Sequence, residues 1–177
     1  SGKTLSGTIG VTAGSIKLTD TGTLASTVEM SGGTLDADNS LTVSGALTQS
    51  GDITIDVLDN QTLIYTGPSL SLGASTLSLS GGGAFANTNS LVLDNTTSKL
   101  LLNSITVANV SVPVVLSSGK IEVLNNADVQ NLQHTGSSNV DIKSGVTLTI
   151  SNGFEIPQSK SMQLTGAGGT LAIANSL

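Results

Sequence analysis

Carboxylates are the groups with the widest chemical reach in this chain. Asp36-Ala37-Asp38 puts two acids on one side of an extended strand, and Asp52, Asp56 and Asp59 follow closely. Glycoside hydrolysis uses two carboxylates across a groove, one giving a proton and the other acting as base or nucleophile. The groove must also hold a sugar ring, commonly on Trp or Tyr, and a uronate needs cations. Here there is no Trp, no Arg, a single Tyr (Tyr65) and only six Lys. The acids therefore read as solvated surface groups, and cleavage by Asp36, Asp38 and some of Asp52, Asp56 and Asp59 is the enzyme alternative. Asp36, Asp38 and Asn39 are also hard oxygen donors of the kind calcium takes. The Gly81-Gly82-Gly83-Ala84-Phe85 and Gly166-Ala167-Gly168-Gly169 runs, however, lack the Asp of a calcium-binding nonapeptide coil.

Other candidates are weaker. His134 is the sole imidazole, which excludes a multi-His metal site and makes it the one histidine a Ser-His-Asp triad could use. It lies in the polar run Asn131-Leu-Gln-His-Thr-Gly136 and reads as a surface loop residue, with no Gly-x-Ser-x-Gly elbow in the chain. Ser1-Gly2-Lys3-Thr4 has the ending of a phosphate-binding loop without its upstream Gly or a following helix. Thr21-x-Thr23 and Thr147-x-Thr149 are isolated, whereas an ice-binding face needs such pairs stacked at one phase. Asn60-Gln-Thr62, Asn95-Thr-Thr97 and Asn109-Val-Ser111 fit the glycan acceptor pattern at a frequency that composition alone explains. No catalytic, cofactor-binding or metal-binding residue is assigned, no cofactor is implied, and the chain reads as a non-enzyme.

The elements that would carry these residues recur along the chain. Leu41-Thr-Val43, Leu77-Ser-Leu79, Leu91-Val-Leu93, Ile105-Thr-Val107, Ile121-Glu-Val123, Leu148-Thr-Ile150 and Met162-Gln-Leu164 share one pattern, aliphatic–polar–aliphatic, followed by turn formers. Leu77, Leu91 and Ile105 are 14 residues apart, as are Leu148 and Met162. Period-2 alternation in short runs is a strand signal, and repetition means units that bury their apolar faces by stacking. No window holds the spacing of an amphipathic helix. Tight hairpins favour Asn-Gly or Asp-Gly, and only Asn152-Gly153 qualifies. Looser breaks such as Ser31-Gly32-Gly33 and Ser117-Ser118-Gly119 suit coils bending between parallel strands, and Pro68, Pro113 and Pro157 mark corners or edges. Asn following a strand, at Asn95, Asn125, Asn126 and Asn152, suits side-chain ladders between coils.

The sequence thus predicts an all-β fold, a single-stranded parallel β-helix (β-solenoid) occupying 1–177 as one domain. With a turn of roughly 20–28 residues it makes about seven or eight coils, a rod on the order of 35–40 Å long. An antiparallel sandwich or prism is the competing architecture. Mean hydropathy of +0.25 and periodic aliphatics argue for an ordered chain, although Ser, Thr, Gly and Asn form roughly half of it. Aromatic content of 2% fits a narrow interior of stacked Leu, Val and Ile, leaving Tyr65, Phe85 and Phe154 as local fillers or surface residues. The net charge of −6 without a basic stripe argues against nucleic acid and anionic lipid. No apolar stretch reaches the roughly 18 residues of a spanning helix, so membrane insertion is not expected.

Runs such as Ser31-Gly-Gly-Thr-Leu-Asp36, Leu41-Thr-Val-Ser-Gly45 and Gly168-Gly-Thr-Leu-Ala-Ile173 resemble the β-solenoid shafts of secreted bacterial adhesins, of the filamentous haemagglutinin and autotransporter-passenger type. The resemblance covers the whole chain in style and carries no functional residue. It implies a right-handed parallel β-helix, an extracellular or bacterial cell-surface location, and a stalk, fibre or contact role in adhesion or biofilm. Strand-like Thr8–Val11 and Thr170–Ile173, without amphipathic caps, give the expected partners: flanking repeats of the same protein or identical subunits stacked end to end. A host-surface or glycan ligand fits such a shaft. The alternatives are a polysaccharide-binding or polysaccharide-cleaving β-helix of spike type and an ice-binding module.

Overall fold

A computed structural model describes residues 3–5, 7–109 and 111–174. Short runs that alternate aliphatic and β-branched residues with Ser, Thr or charge favour the pleated strand, one side in and one side out. The strands pair in parallel with those one turn away, and the chain forms the expected β-solenoid, in about eight turns with no helix among the described residues.

Each turn passes along three walls. The first wall is one unbroken sheet of β3 (Ser15–Leu18), β6 (Thr34–Ala37), β9 (Ile53–Val57), β12 (Thr76–Ser80), β15 (Lys99–Asn103), β18 (Lys120–Val123), β20 (Ser138–Ile142) and β22 (Met162–Thr165). The second wall holds β1 (Lys3–Leu5), β4 (Gly22–Leu24), β7 (Leu41–Val43), β10 (Thr62–Tyr65), β13 (Ala84–Asn87) and β16 (Thr106–Ala108). It continues into β19 (Ala127–His134), β21 (Thr147–Glu155) and β23 (Thr170–Ile173). The third wall comes in two pieces. β2 (Thr8–Val11), β5 (Thr27–Met30) and β8 (Leu47–Gln49) form a separate sheet; β11 (Leu70–Ser71), β14 (Leu91–Leu93) and β17 (Val114–Leu116) run on to the second half of β19.

Register stacks like on like. On the first wall Leu35, Ile55, Leu79, Leu102, Val123 and Ile142 lie one above another, all buried. Burying each such side chain is worth about 1.5–3 kcal/mol. Turn length is not constant. Thr8 pairs with Thr27 and Ser15 with Thr34, 19 residues on, whereas Leu63 pairs with Phe85 and Phe85 with Val107, 22 residues on. The 14-residue step is therefore not the turn: it carries the chain past two walls, from Leu77 on β12 to Leu91 on β14.

The wider turns make room for rings, which corrects the expectation of an interior too narrow for them. Tyr65 and Phe85 are fully buried and stacked, centroids 6.4 Å apart. Only Phe154 stays partly exposed, packed on the core's margin. The Tyr65 hydroxyl accepts a hydrogen bond from the Leu47 amide at 3.1 Å. That amide opens β8, the strand where the third wall's ladder stops. Gly45, at the corner between β7 and β8, lies so close to the previous turn that a Cβ there would sit 1.9 Å from the Ser26 carbonyl oxygen.

Asn152-Gly153 is not a hairpin turn. It lies inside β21, whose pairing with β19 shifts register between Val129 and Asn131. Pro68, Pro113 and Pro157 all fall outside strands, as their missing N–H requires.

Candidate functional site

The aspartates spread along the first wall instead of closing round a point. Lys17, Asp36, Asp56 and Ser80 occupy one outward row across β3, β6, β9 and β12. The Lys17 ammonium lies 2.9 Å from Asp38 and 3.5 Å from Asp36, where a bound cation would have to sit. Its pKa is raised, chiefly by the hydrogen bond to Asp38. Asp56 accepts from the Ser80 hydroxyl, and Asn39 donates to the Thr19 carbonyl. Asp52 accepts from the Thr76 amide at 2.7 Å, capping the start of β12, and Asp59 stands at the opposite margin beside Gly82. Asp36, Asp38 and Asp56 thus share a face and are each engaged; Asp52 and Asp59 lie off its two edges. Among the described residues no three His, Cys, Asp or Glu side chains are grouped to hold a metal.

A second charged patch lies further along the same wall. Lys120 reaches Asp141 at 3.0 Å and Glu122 at 3.2 Å, and Lys99 lies 3.7 Å from Glu122. The hydrogen bond to Asp141 is the main cause of the raised Lys120 pKa. Glu122 separates two lysines stacked in register, Lys99 and Lys120, whose like charges would otherwise repel. These are surface ladders that hold coils in register.

His134 corrects its sequence reading. It is not in a surface loop but at the end of β19, 0% exposed, stacked under Leu116 in the core. Neither ring nitrogen has a hydrogen-bond partner, so no nucleophile or carboxylate shares a proton with it. Burial, and secondarily the Lys160 charge, hold its pKa below the ordinary value. Tyr65, which a carbohydrate-binding face would expose, is buried.

Three further motifs resolve simply. Thr147 and Thr149 face Thr170 and Ala172 on one side, and Asp128 flanks Thr149 on the other, so the pair does not repeat. Thr23 stacks on Thr42, and the row continues as Ile64, Ala86 and Ala108. Of the glycan acceptor patterns, Asn60 and Asn95 are exposed while Asn109 is wholly buried. Asn95 accepts from both the amide and the hydroxyl of Thr97, closing a local turn. Ser1 and Gly2 lie outside the described residues, and Lys3 opens the strand β1.

What the motif search missed is a polar column inside the tube. Tyr65, Asn87, Asn109 and Asn131 recur every 22 residues at the corner between the second and third walls. Asn109 donates to the Asn131 carbonyl at 2.7 Å and accepts from its amide at 3.1 Å; Asn131 donates back to the Asn109 carbonyl at 2.7 Å. The 22-residue spacing was the available signal. Beside this column, lined on one side by residues 111–113 ahead of β17, lies a groove of about 540 Å³. Val112, Pro113 and Phe154 supply its apolar side, and Gln133 donates to Glu155 at 2.9 Å on its polar side.

Fold and register define a parallel β-solenoid, a repeat protein whose unit is one coil. No known family model, curated protein or solved structure matches the chain.

Proposed function

We propose that this chain is a length of structural shaft, an adhesin stalk or fibre-forming subunit outside the cell or on the bacterial surface, with no enzymatic role. One observation carries the reading: the inward rows are sealed by the coil that follows them. Val140 is 0% exposed beneath Leu164, which itself is 56% exposed; Ile150 is 0% exposed beneath Ile173, at 42%. The surface that would seal Leu164 and Ile173 is another coil with the same rows. Flanking repeats of the same protein or an identical subunit supply it, and the exposed backbone of β22 and β23 gives it a template. Electron microscopy of the native material tests this: rods or filaments of constant width are expected, and compact isolated particles overturn it.

The groove beside β21 favours a second reading, a glycan-binding module. A sugar ring would lie on Phe154 and Pro113, accept a hydrogen bond from Gln133 and donate one to Glu155. Binding on a glycan array that Gln133→Ala abolishes would support it, and no binding would remove it.

A further inference from the structure

We propose that His134 makes the turns that follow it acid-sensitive: protonation of this interior imidazole drives it out of the tube and loosens β22 and β23 while the coils before it hold. The inference goes beyond the shaft reading: it concerns how the row containing His134 is closed.

Leu72, next to the Ser71 that pairs with Val92, then Leu93 and Leu116 precede His134 turn by turn, and Ile156, next to the Glu155 that pairs with Gln133, comes one turn after it. The first three are buried aliphatics, and Ile156 on the far side is 39% exposed. A fully buried imidazole with two unpartnered nitrogens is tolerable only when neutral. Among the described residues no carboxylate lies within hydrogen-bond reach of its ring nitrogens. β17 presents Val114 and Leu116; across the tube, β18 and β20 present Ile121, Val123, Val140 and Ile142 inward. The charges on those elements, Lys120, Glu122 and Asp141, point outward and are paired with one another. Glu155 on β21 is outside and held by Gln133, while Lys160 acts on the ring with the same sign as an imidazolium.

The escape route is the segment from Ile156 to Ser161. It has no strand pairing and is exposed along most of its length, with one backbone bond from the Lys160 amide to the Pro157 carbonyl at 2.9 Å. Among the described strands β22 and β23 each pair with a single neighbour, β20 and β21, and both lie beyond this segment in the chain.

The sign follows from linkage. A histidine whose pKa is lower in the closed coil binds fewer protons there than in the open one. Closure is therefore at full strength above the ordinary imidazole value of about 6.5 and weakens as pH falls below it. One proton gives up to about a tenfold change in the opening equilibrium per pH unit, ending at the closed-state pKa. The chain has no Cys and no second His, so no other side chain with an ordinary pKa titrates between pH 5 and 6.5.

Being alone, the His134 ring gives one Cε1–H signal in an NMR titration of the native chain. The expected pKa lies below 6.5, with protection factors of β22 and β23 amides falling up to about tenfold per pH unit from pH 6.5 downward while those of β12 stay level. His134→Leu, which continues the row Leu72, Leu93 and Leu116, should erase that fall. A pKa at or above 6.5, or an undiminished fall in His134→Leu, overturns the proposal. Should His134→Leu not fold, the native titration decides it alone.

Discussion

Along the first wall, eight strands stack without a gap, and the interior row from Leu35 to Ile142 is aliphatic at every turn. Along the third wall the ladder stops between β8 and β11, and the neighbouring core admits Tyr65, Asn87, Asn109 and His134. Both walls belong to the same coils and share the same solvent. What differs is turn length. Where it rises from 19 to 22 residues or more, the first wall keeps its register and the extra residues go to the corners and the third wall. Side chains then take over bonds that backbone would have made: the Tyr65 hydroxyl takes the Leu47 amide, and Gln49 donates to the Leu72 carbonyl at 3.2 Å. An open coil thus absorbs a change in size at one wall while the opposite wall remains a continuous ladder.

The largest effect should come from the continuous wall. Leu100→Ala removes a side chain sealed between Leu77 and Ile121, and chemical denaturation should show a loss of about 2–5 kcal/mol. Asn109→Ala sharpens the comparison from the other side. It removes the two hydrogen bonds between the Asn109 side chain and the Asn131 backbone, at about 0.5–1.5 kcal/mol each, and should localise the loss to the corner of β16 and β19 in hydrogen exchange. Tyr65→Phe keeps the ring and strands one buried amide, a single increment of about 1–3 kcal/mol by the same denaturation measurement. Lys120→Met, on the outside of the first wall, should cost no more than about 1 kcal/mol, an effect that vanishes in high salt. If Tyr65→Phe proves costlier than Leu100→Ala, the ranking of the two walls is reversed.

Much of this fold was legible because a strand of period 2 shows its inside and outside in three residues. Leu77-Ser-Leu79 and Ile121-Glu-Val123 announce strands whatever surrounds them. The turn length was less legible, because three walls of unequal length put a spurious 14-residue repeat ahead of the true 18–24. His134 was misread for a related reason. Gln133 and His134 are both polar, and only register, which stacks Gln133 on Glu155 outside and His134 on Leu116 inside, separates them. The acids gave a partial signal: Asp36 and Asp56 do share a row, but that Lys17 would lie across Asp36 and Asp38 depended on a 19-residue pairing no local pattern reveals.

Residue-resolved amide exchange on the native chain tests the contrast between the walls most directly, because each buried strand's protection reports the ladder it belongs to. The slowest amides should lie on β9, β12, β15 and β18 of the continuous wall, with β8 and β11 markedly faster in the same turns. Equal protection right round those turns would contradict the account.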